Sequence, residues 1–405
     1  MNLTCSIYPS VRIIEGDALT ELRKLPSASV HCCVTSPPYW GLRDYSVEGQ
    51  LGLEKTPEQW VAKMVEVFRE VRRVLRDDGT CWMNLGDSYW NGGAEKRDGG
   101  YGFVDGGRPK LDAAKGTLLQ LKSETSLGLK PKDLCGIPWR LAFALQADGW
   151  WLRSDIIWAK KNCMPESVTD RPSKAHEYIF LLTKNQTYFY DSEAVKEPVS
   201  GTAHKRQALD GSPPSLAFKM QPSGMRNRNN PSFQSYMKDL DPELGRNKRS
   251  VWTIATQAFP EAHFATFPEE LPKICILAGT SAKGCCAKCG APWNRIIKCS
   301  DGYEAIKQSR RRTKGYESRG LEAGNRFGSE TGRLTKSTET LGWQPTCRCE
   351  AETVPCTVLD PFAGSGTTGQ VALELGRSAI LIELNPNYAE LIKERCSVTP
   401  GLMLA

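Results

Sequence analysis

VLDPFAGSGTT, residues 358–368, decides the fold class. An apolar run typical of a buried strand ends in Asp-Pro-Phe, a Gly-x-Gly turn follows, and two threonines open a helix. Glycines at 364 and 366 permit positive φ and let a ligand approach the backbone closely. Thr367 or Thr368 suits the cap of that helix. AILIEL at 379–384 reads as the next strand and ends in Glu383. That is about the spacing at which a dinucleotide-binding βαβ unit sets an acid on ribose hydroxyls. A structural turn in another α/β protein would share the glycines but not the whole series. No Gly-Lys-Ser/Thr follows, which disfavours nucleotide hydrolysis.

Outward from this turn, strand and helix patterns alternate at both ends of the chain. Val11–Ile14 reads as a strand, Ala18–Leu25 as a helix stopped by Pro26, and Val30–Val34 as a buried strand. Trp60, Val61, Met64, Val65, Phe68, Val71 and Leu75 mark one face of a helix over 57–76. GTCWMNL at 79–85 is the next strand. The spacing predicts further elements at 137–147 (helix), 150–158 and 177–183 (strands) and 271–277 (helix). At the C-terminal end it predicts 357–360 (strand), 367–375 (helix), 379–383 (strand) and 388–395 (helix). Such alternation implies a mainly parallel sheet with helices on both faces. Cys32, Cys33 and Cys81, and Trp150, Trp151 and Trp158, read as core. His176 reads as a hydrogen-bonded structural histidine, and Trp40 as core or as a pocket wall.

The strand at 30–34 runs straight into TSPPYW, 35–40. Two prolines at the end of a strand make a rigid, extended corner. Their carbonyls accept hydrogen bonds, Ser36 adds a side-chain acceptor and Tyr39 a ring. This set suits an exocyclic amine on a planar ring, held so that its lone pair leaves conjugation and faces an electrophile. Catalysis would then be orientation and local electrostatics. An ordinary Ser-Pro-Pro-Tyr loop is the competing reading.

A chain of 405 residues carries one large core plus a smaller module. A hydrophobic fraction of 40% and a charged fraction of 24% are ordinary for a soluble protein. No stretch suits a membrane span and the N-terminal residues do not read as a signal peptide, so the expected setting is cytoplasmic. The net charge of +7 permits a polyanionic partner without requiring one. Pattern lapses over 91–130, expected to be a mobile insert, and over 192–250, which is rich in Ser, Pro, Asn and basic residues. MRNRNN (225–230) and GRNKRS (245–250) read either as a solvated linker or as a surface for phosphates and base edges.

Taken together, TSPPYW and DPFAGSGTT resemble the catalytic and cofactor motifs of the amino-group DNA methyltransferases that use S-adenosylmethionine. Their order, catalytic motif first and cofactor motif last, is that of the β subgroup. IIEGDAL (13–19) resembles the family's element whose acid, here Asp17, lies by the cofactor adenine, HFATFPEEL (263–271) its cofactor-side element, and WAKKNCMPES with DRPSKAHEYIFLLTK (158–184) its segment lining the target-base pocket. The resemblance implies a seven-stranded, mostly parallel Rossmann-like methyltransferase sheet, circularly permuted in sequence. It assigns catalysis to Ser36, Pro37, Pro38 and Tyr39. It assigns the cofactor to Asp17, Ala18, Thr35, Phe267, Pro268, Asp360, Pro361, Phe362, Ala363, Gly364, Ser365, Gly366, Thr367, Thr368, Glu383 and Asn385. DNA contacts are expected at Lys160, Asn162, Arg226, Arg228, Arg246, Lys248 and Arg249.

In this family a serine at the first motif position goes mostly with cytosine N4, an Asp or Asn mostly with adenine N6. The expected activity is therefore site-specific N4 methylation of a cytosine flipped from double-stranded DNA, with N6-adenine as the alternative. An RNA or protein methyltransferase, or an inactive zinc-bearing DNA-binding protein, are the remaining readings. A cognate restriction endonuclease is an expected partner; the oligomeric state is not legible.

Fifteen cysteines without an export signal point to buried thiols or metal ligands. Cys286-x2-Cys289 and Cys347-x-Cys349 offer four thiolates for a structural zinc, with CCAKCGAP at 285–292 resembling a zinc-knuckle turn. Cys285 competes with Cys286, and Cys299 or Cys356 are further candidates; free thiols in a loop are the alternative. Four histidines without ligand spacing suggest no catalytic zinc. The domains expected are 1–190 (catalytic half), 191–260 (target recognition), 261–283 with 351–405 (cofactor half) and 284–350 (zinc ribbon- or knuckle-like insert).

Overall fold

A computed structural model describes residues 8–42, 44, 47–90, 128–163, 165–197, 246–257, 267–299, 302–304, 333–335 and 338–397. The expected insert lies almost wholly outside the described residues, as do Arg226, Arg228 and the middle of the 284–350 segment. The chain divides into two units: 1–195 with 249–294 and 343–405, and 196–248 with 295–342.

The first unit is built on one eight-stranded sheet. Its strands are β1 (Val11–Glu15), β2 (Val30–Thr35), β3 (Leu75–Leu85), β4 (Trp151–Lys160), β5 (His176–Thr183), β6 (Val251–Ile254), β13 (Thr357–Asp360) and β14 (Ser378–Glu383). Three small pairings stand outside it: β7 (Cys285–Cys286) with β12 (Thr353–Val354), β8 (Trp293–Cys299) with β11 (Thr338–Pro345), and β9 (Gly302–Glu304) with β10 (Arg333–Thr335). The helices are α1 (Ala18–Lys24), α2 (Pro57–Val74), α3 (Ile137–Ala147), α4 (Glu270–Gly279), α5 (Thr367–Glu374) and α6 (Pro386–Ser397).

The strand order is β1-β14-β13-β2-β3-β5-β4-β6, so the last two strands of the chain lie between the first and the second. All neighbours pair parallel except β5, which is antiparallel to both β3 and β4. The sheet is thus mostly parallel and permuted, as expected, with β6 added at one edge.

Period-2 alternation builds a core on each face. Cys33, Cys81, Met83, Leu85, Phe180 and Leu182 face α1, α2 and α3, where Leu22, Trp60, Phe68 and Leu141 meet them. Cys32, Val34, Trp82, Ile179 and Leu181 face α4, α5 and α6, against Ile274, Cys275, Val371 and Ile392. Cys32, Cys33 and Cys81 are therefore core.

Trp151 corrects an expectation. Trp150 and Trp158 are buried, but Trp151 is 45% exposed, because the strand starts one residue later than expected and Trp151 points to its open face. His176 packs edge-on against Tyr178, with no side-chain hydrogen bond among the described residues, so ring packing replaces the expected bond. Trp40 is core: it stacks on Trp90 and its indole N–H donates to the Glu54 carbonyl. In the second unit, Glu197 and Arg246 exchange backbone hydrogen bonds, and the Glu197 carboxylate pairs with Arg246 and Lys248.

Candidate active site

The two deciding sequences meet at the carboxyl ends of neighbouring strands. β2 delivers Thr35 and the Ser36–Tyr39 corner; β13 delivers Asp360 and the glycine turn. The helix after β2 packs on one face and the helix after β13 on the other. This makes the gap between β2 and β13 a topological switch point, where α/β sheets bind ligands. The junction is closed by Asp360. Its Oδ1 accepts from Thr35 Oγ1 at 2.7 Å and from the Phe362 N–H at 3.1 Å, and its Oδ2 accepts from Thr368 Oγ1 at 2.7 Å. Burial pushes the Asp360 carboxyl up to about 6, against the downward pull of these three bonds.

Above the junction lies a cavity of about 690 Å³, lined by Ser36–Tyr39 on one side and Pro361–Ser365 with Thr367 on the other. Gly364 and Gly366 have φ of +53° and +79°, the left-handed region that a side chain disfavours. A Cβ at Gly366 would also press on Ile392 at 3.0 Å. Glu383 binds the turn to its own strand end: Oε2 accepts from the Gly364 N–H at 2.7 Å and Oε1 from the Asn385 N–H at 2.9 Å. Burial raises its carboxyl above the usual range. Behind the turn Arg395 donates to Ser365 Oγ and Thr367 Oγ1, both at 3.0 Å, and pairs with Glu269 at 3.2 Å.

At the other corner the Tyr39 hydroxyl donates to Glu177 Oε2 at 2.8 Å, and Ser36 Oγ donates to the Tyr39 oxygen at 3.3 Å. Burial, followed by the neighbouring Glu177 charge, drives the Tyr39 pKa far up, so the phenol keeps its proton. Glu177 Oε1 takes Lys160 Nζ at 2.5 Å. The Trp60 indole N–H donates to the Pro38 carbonyl at 3.1 Å, pinning the second proline to α2. Gly86 gives the Tyr39 ring its room; a Cβ there would come within 2.8 Å of Cε2.

Comparison with known proteins gives this geometry a family. Residues 30–287 and 356–394 match the DNA methylase family N6_N4_Mtase. The chain belongs to that family. It is 38% identical over 387 residues to the Type II methyltransferase M.SmaI of Serratia marcescens, covering 95% of this chain and 90% of that one. With the Type II methyltransferase M.XycI of Xanthomonas campestris pv. cyanopsidis the identity is 39% over 383 residues, covering 95% and 86%. Among solved structures, the PvuII DNA methyltransferase (cytosine-N4-specific) is 15% identical, with a TM-score of 0.48 over 96% of this chain and 88% of that one. The protein is an amino-group DNA methyltransferase, as the motif resemblance implied.

Within this methyltransferase the expected site residues fall into three groups. Asp17, Ala18, Phe267, Glu383, Asn385, Lys160 and Asn162 line the cavity together with the two corners. Thr35, Asp360 and Thr368 lie buried beneath it in the junction, Gly366 caps α5, and Pro268 stands off the lining. Arg246 and Lys248 are paired to Glu197 in the second unit, and Arg249 is exposed on the first.

No individual role was expected for Glu177, Asn84, Lys174 or Trp158, which also line the cavity; all but Asn84 lie in the 158–184 segment expected at the target-base pocket. An acid entering an otherwise apolar strand was the available signal for Glu177. Lys174 donates to the Asp87 carbonyl at 2.5 Å, and burial lowers its pKa. Lys160 stands over the Trp158 ring at 4.8 Å. The four cysteines of the expected metal set, Cys286, Cys289, Cys347 and Cys349, gather at one point away from this cavity.

Proposed function

We propose that this DNA methyltransferase methylates the exocyclic N4 amine of a cytosine extruded from double-stranded DNA, with S-adenosylmethionine as donor. The observation that carries the reading is the single cavity walled by both the serine-diproline corner and the glycine turn. Its volume suits an organic ligand together with a planar ring. The donor's side fits: a Cβ built at Gly364 would meet nothing within 4 Å, and a half-buried acid stands at the end of β14. S-adenosylmethionine, when bound, supplies an electrophilic methyl group. Glu383 and Asn385 would hold its ribose side, Asp17 and Phe267 its adenine side, and the turn at 364–366 its methionine part.

The other corner supplies acceptors for an amine. The Ser36 proton is directed to Tyr39 and the Tyr39 proton to Glu177, which leaves the Ser36 lone pairs facing the cavity. The Glu177 charge polarises this chain and strengthens Ser36 as an acceptor. With the Pro38 carbonyl engaged by Trp60, the Pro37 carbonyl is the second acceptor. Two amine protons held in this way turn the nitrogen lone pair out of the ring, toward the methyl donor. The Tyr39 ring, anchored through its hydroxyl, stacks on the base. A base paired in a duplex cannot reach this corner, so it must leave the stack at a cost of a few kcal/mol.

Serine at the first motif position supports cytosine over adenine. The Type II designation of the relatives supports a cognate restriction endonuclease as partner. Lys160, Asn162 and the basic residues of 225–250 are proposed to face DNA. Mass spectrometry of nucleosides from DNA of cells expressing the chain tests the assignment. We expect 4-methylcytosine, and finding 6-methyladenine instead overturns the choice of base.

A further inference from the structure

The described residues of the first unit hold a second chemical centre, none of whose residues lines the cavity. Cys286 and Cys289 sit in a tight turn closed by Gly290 N–H donating to the Cys286 carbonyl at 2.8 Å and Cys286 N–H donating to the Ala291 carbonyl at 2.9 Å. Cys347 and Cys349 form a second short turn just past β11. Thr346 Oγ1 joins the two by donating to the Pro292 carbonyl at 2.7 Å. The four sulfur atoms all lie within 4.8 Å of one another, and all four are free thiols. Four sulfurs placed tetrahedrally at about 2.3 Å from one ion stand about 3.8 Å apart. Small rotamer adjustments bring this set to that spacing.

We propose that Cys286, Cys289, Cys347 and Cys349 bind one structural zinc ion as four thiolates. Each thiol releases its proton to solvent on binding, and the resulting double negative charge lies beside Arg76, with Lys288 and Arg348 next to the ligands in sequence. The Arg76 guanidinium already donates to the Cys289 carbonyl at 2.7 Å. The need for a metal is visible in the packing. Among the described residues the hydrophobic cluster at these turns is small: Cys285, Val354 and Cys356, with Ala287 against them. The β8–β11 pair that starts here exposes Ile296, Ile297 and Leu341. A core this small is marginal without a staple.

A neighbouring triad, His31, Cys285 and Cys356, is also close enough to hold an ion. His31, however, has no lone pair to give. Its Nδ1 accepts the Thr357 N–H at 3.0 Å, which makes Nε2 the donor to the Gly290 carbonyl at 2.8 Å. This histidine instead ties the first cysteine turn to β2 and β13.

The test uses the full chain purified without chelator. Elemental analysis is expected to give one zinc per chain, released when a mercurial titrates the thiols. Cobalt replacement is expected to give the thiolate charge-transfer band and intense visible bands of a tetrahedral four-sulfur site. Cys347→Ser combined with Cys349→Ser is expected to abolish metal content; if that variant does not fold, the mercurial and cobalt measurements on the unaltered chain decide alone. Metal-free protein, iron in place of zinc, two disulfides among the four cysteines, or zinc retained by a folded double variant each overturn the assignment. None of these readouts depends on methyl transfer, so they stand whether or not the proposed base is correct.

Discussion

At the scale of single residues, the two corners of the cavity are proposed to divide the work, and substitutions should separate them. Ser36→Ala removes one acceptor for the amine and leaves the glycine turn alone. We expect single-turnover methylation to fall about 100-fold or more, with the S-adenosylmethionine Kd nearly unchanged by calorimetry. Equal losses in both would contradict the role given to Ser36. Glu383→Ala strips the acceptor from the Gly364 and Asn385 amides as well as the proposed ribose contact. Its main effect should be a cofactor Kd raised about tenfold or more. Glu177→Gln keeps an oxygen for Tyr39 but deletes the charge that polarises Ser36. We expect the methyl-transfer rate to drop about tenfold without change in cofactor Kd. Ser36 and Glu383 were readable because each sits in a motif with a fixed neighbourhood. Glu177 was not, since its role depends on β5 pairing with β3, a contact between residues far apart in the chain.

At the scale of elements, local chemistry set most boundaries. Thr56 caps α2 by accepting the Gln59 N–H at 3.3 Å, and Pro57 opens the first turn. Thr56→Ala should cost about 1 kcal/mol in urea unfolding while leaving the methylation rate intact. The helix at 137–147 and the strand at 357–360 fall where the sequence pattern placed them. The strand β6 was missed. It offers only Trp252 and Ile254 to the core, on alternate residues of a four-residue run, directly after a polar and basic stretch. A period-2 signal that short is not distinguishable from loop. Trp151 was misjudged for a related reason: three tryptophans near one strand look like core until the position of the first strand residue fixes which of them turn outward.

At the scale of the whole molecule, one carboxyl joins the two halves of the site. Asp360 belongs to the cofactor motif, yet it receives a hydrogen bond from the last residue of the catalytic strand. Its folded-state pKa, about 6, lies above the ordinary carboxylate value. The native state therefore holds this proton more tightly than the unfolded chain does. Stability attributable to Asp360 is full below about pH 4 and declines as pH rises through about 6. Asp360→Asn removes that slope. The stability of the variant relative to the parent should climb by up to about 3 kcal/mol between pH 4 and pH 7 in urea titrations. A pH-independent difference would show that the carboxyl does not titrate in this window. The order of strands was the part of the architecture least legible in sequence. Motif order implied that the end of the chain returns to the middle of the sheet, but only backbone pairing fixes β13 between β14 and β2.

The edge position of β6 has an evolutionary consequence. The chain leaves the first unit after Val195 and returns to it at Arg249, and from Val251 β6 pairs with β4. Just beyond, the Thr256 N–H donates to Asn162 Oδ1 at 2.7 Å, and both residues line the cavity. Both posts belong to the first unit, so a segment substituted between them during descent would be anchored at both ends in the same register.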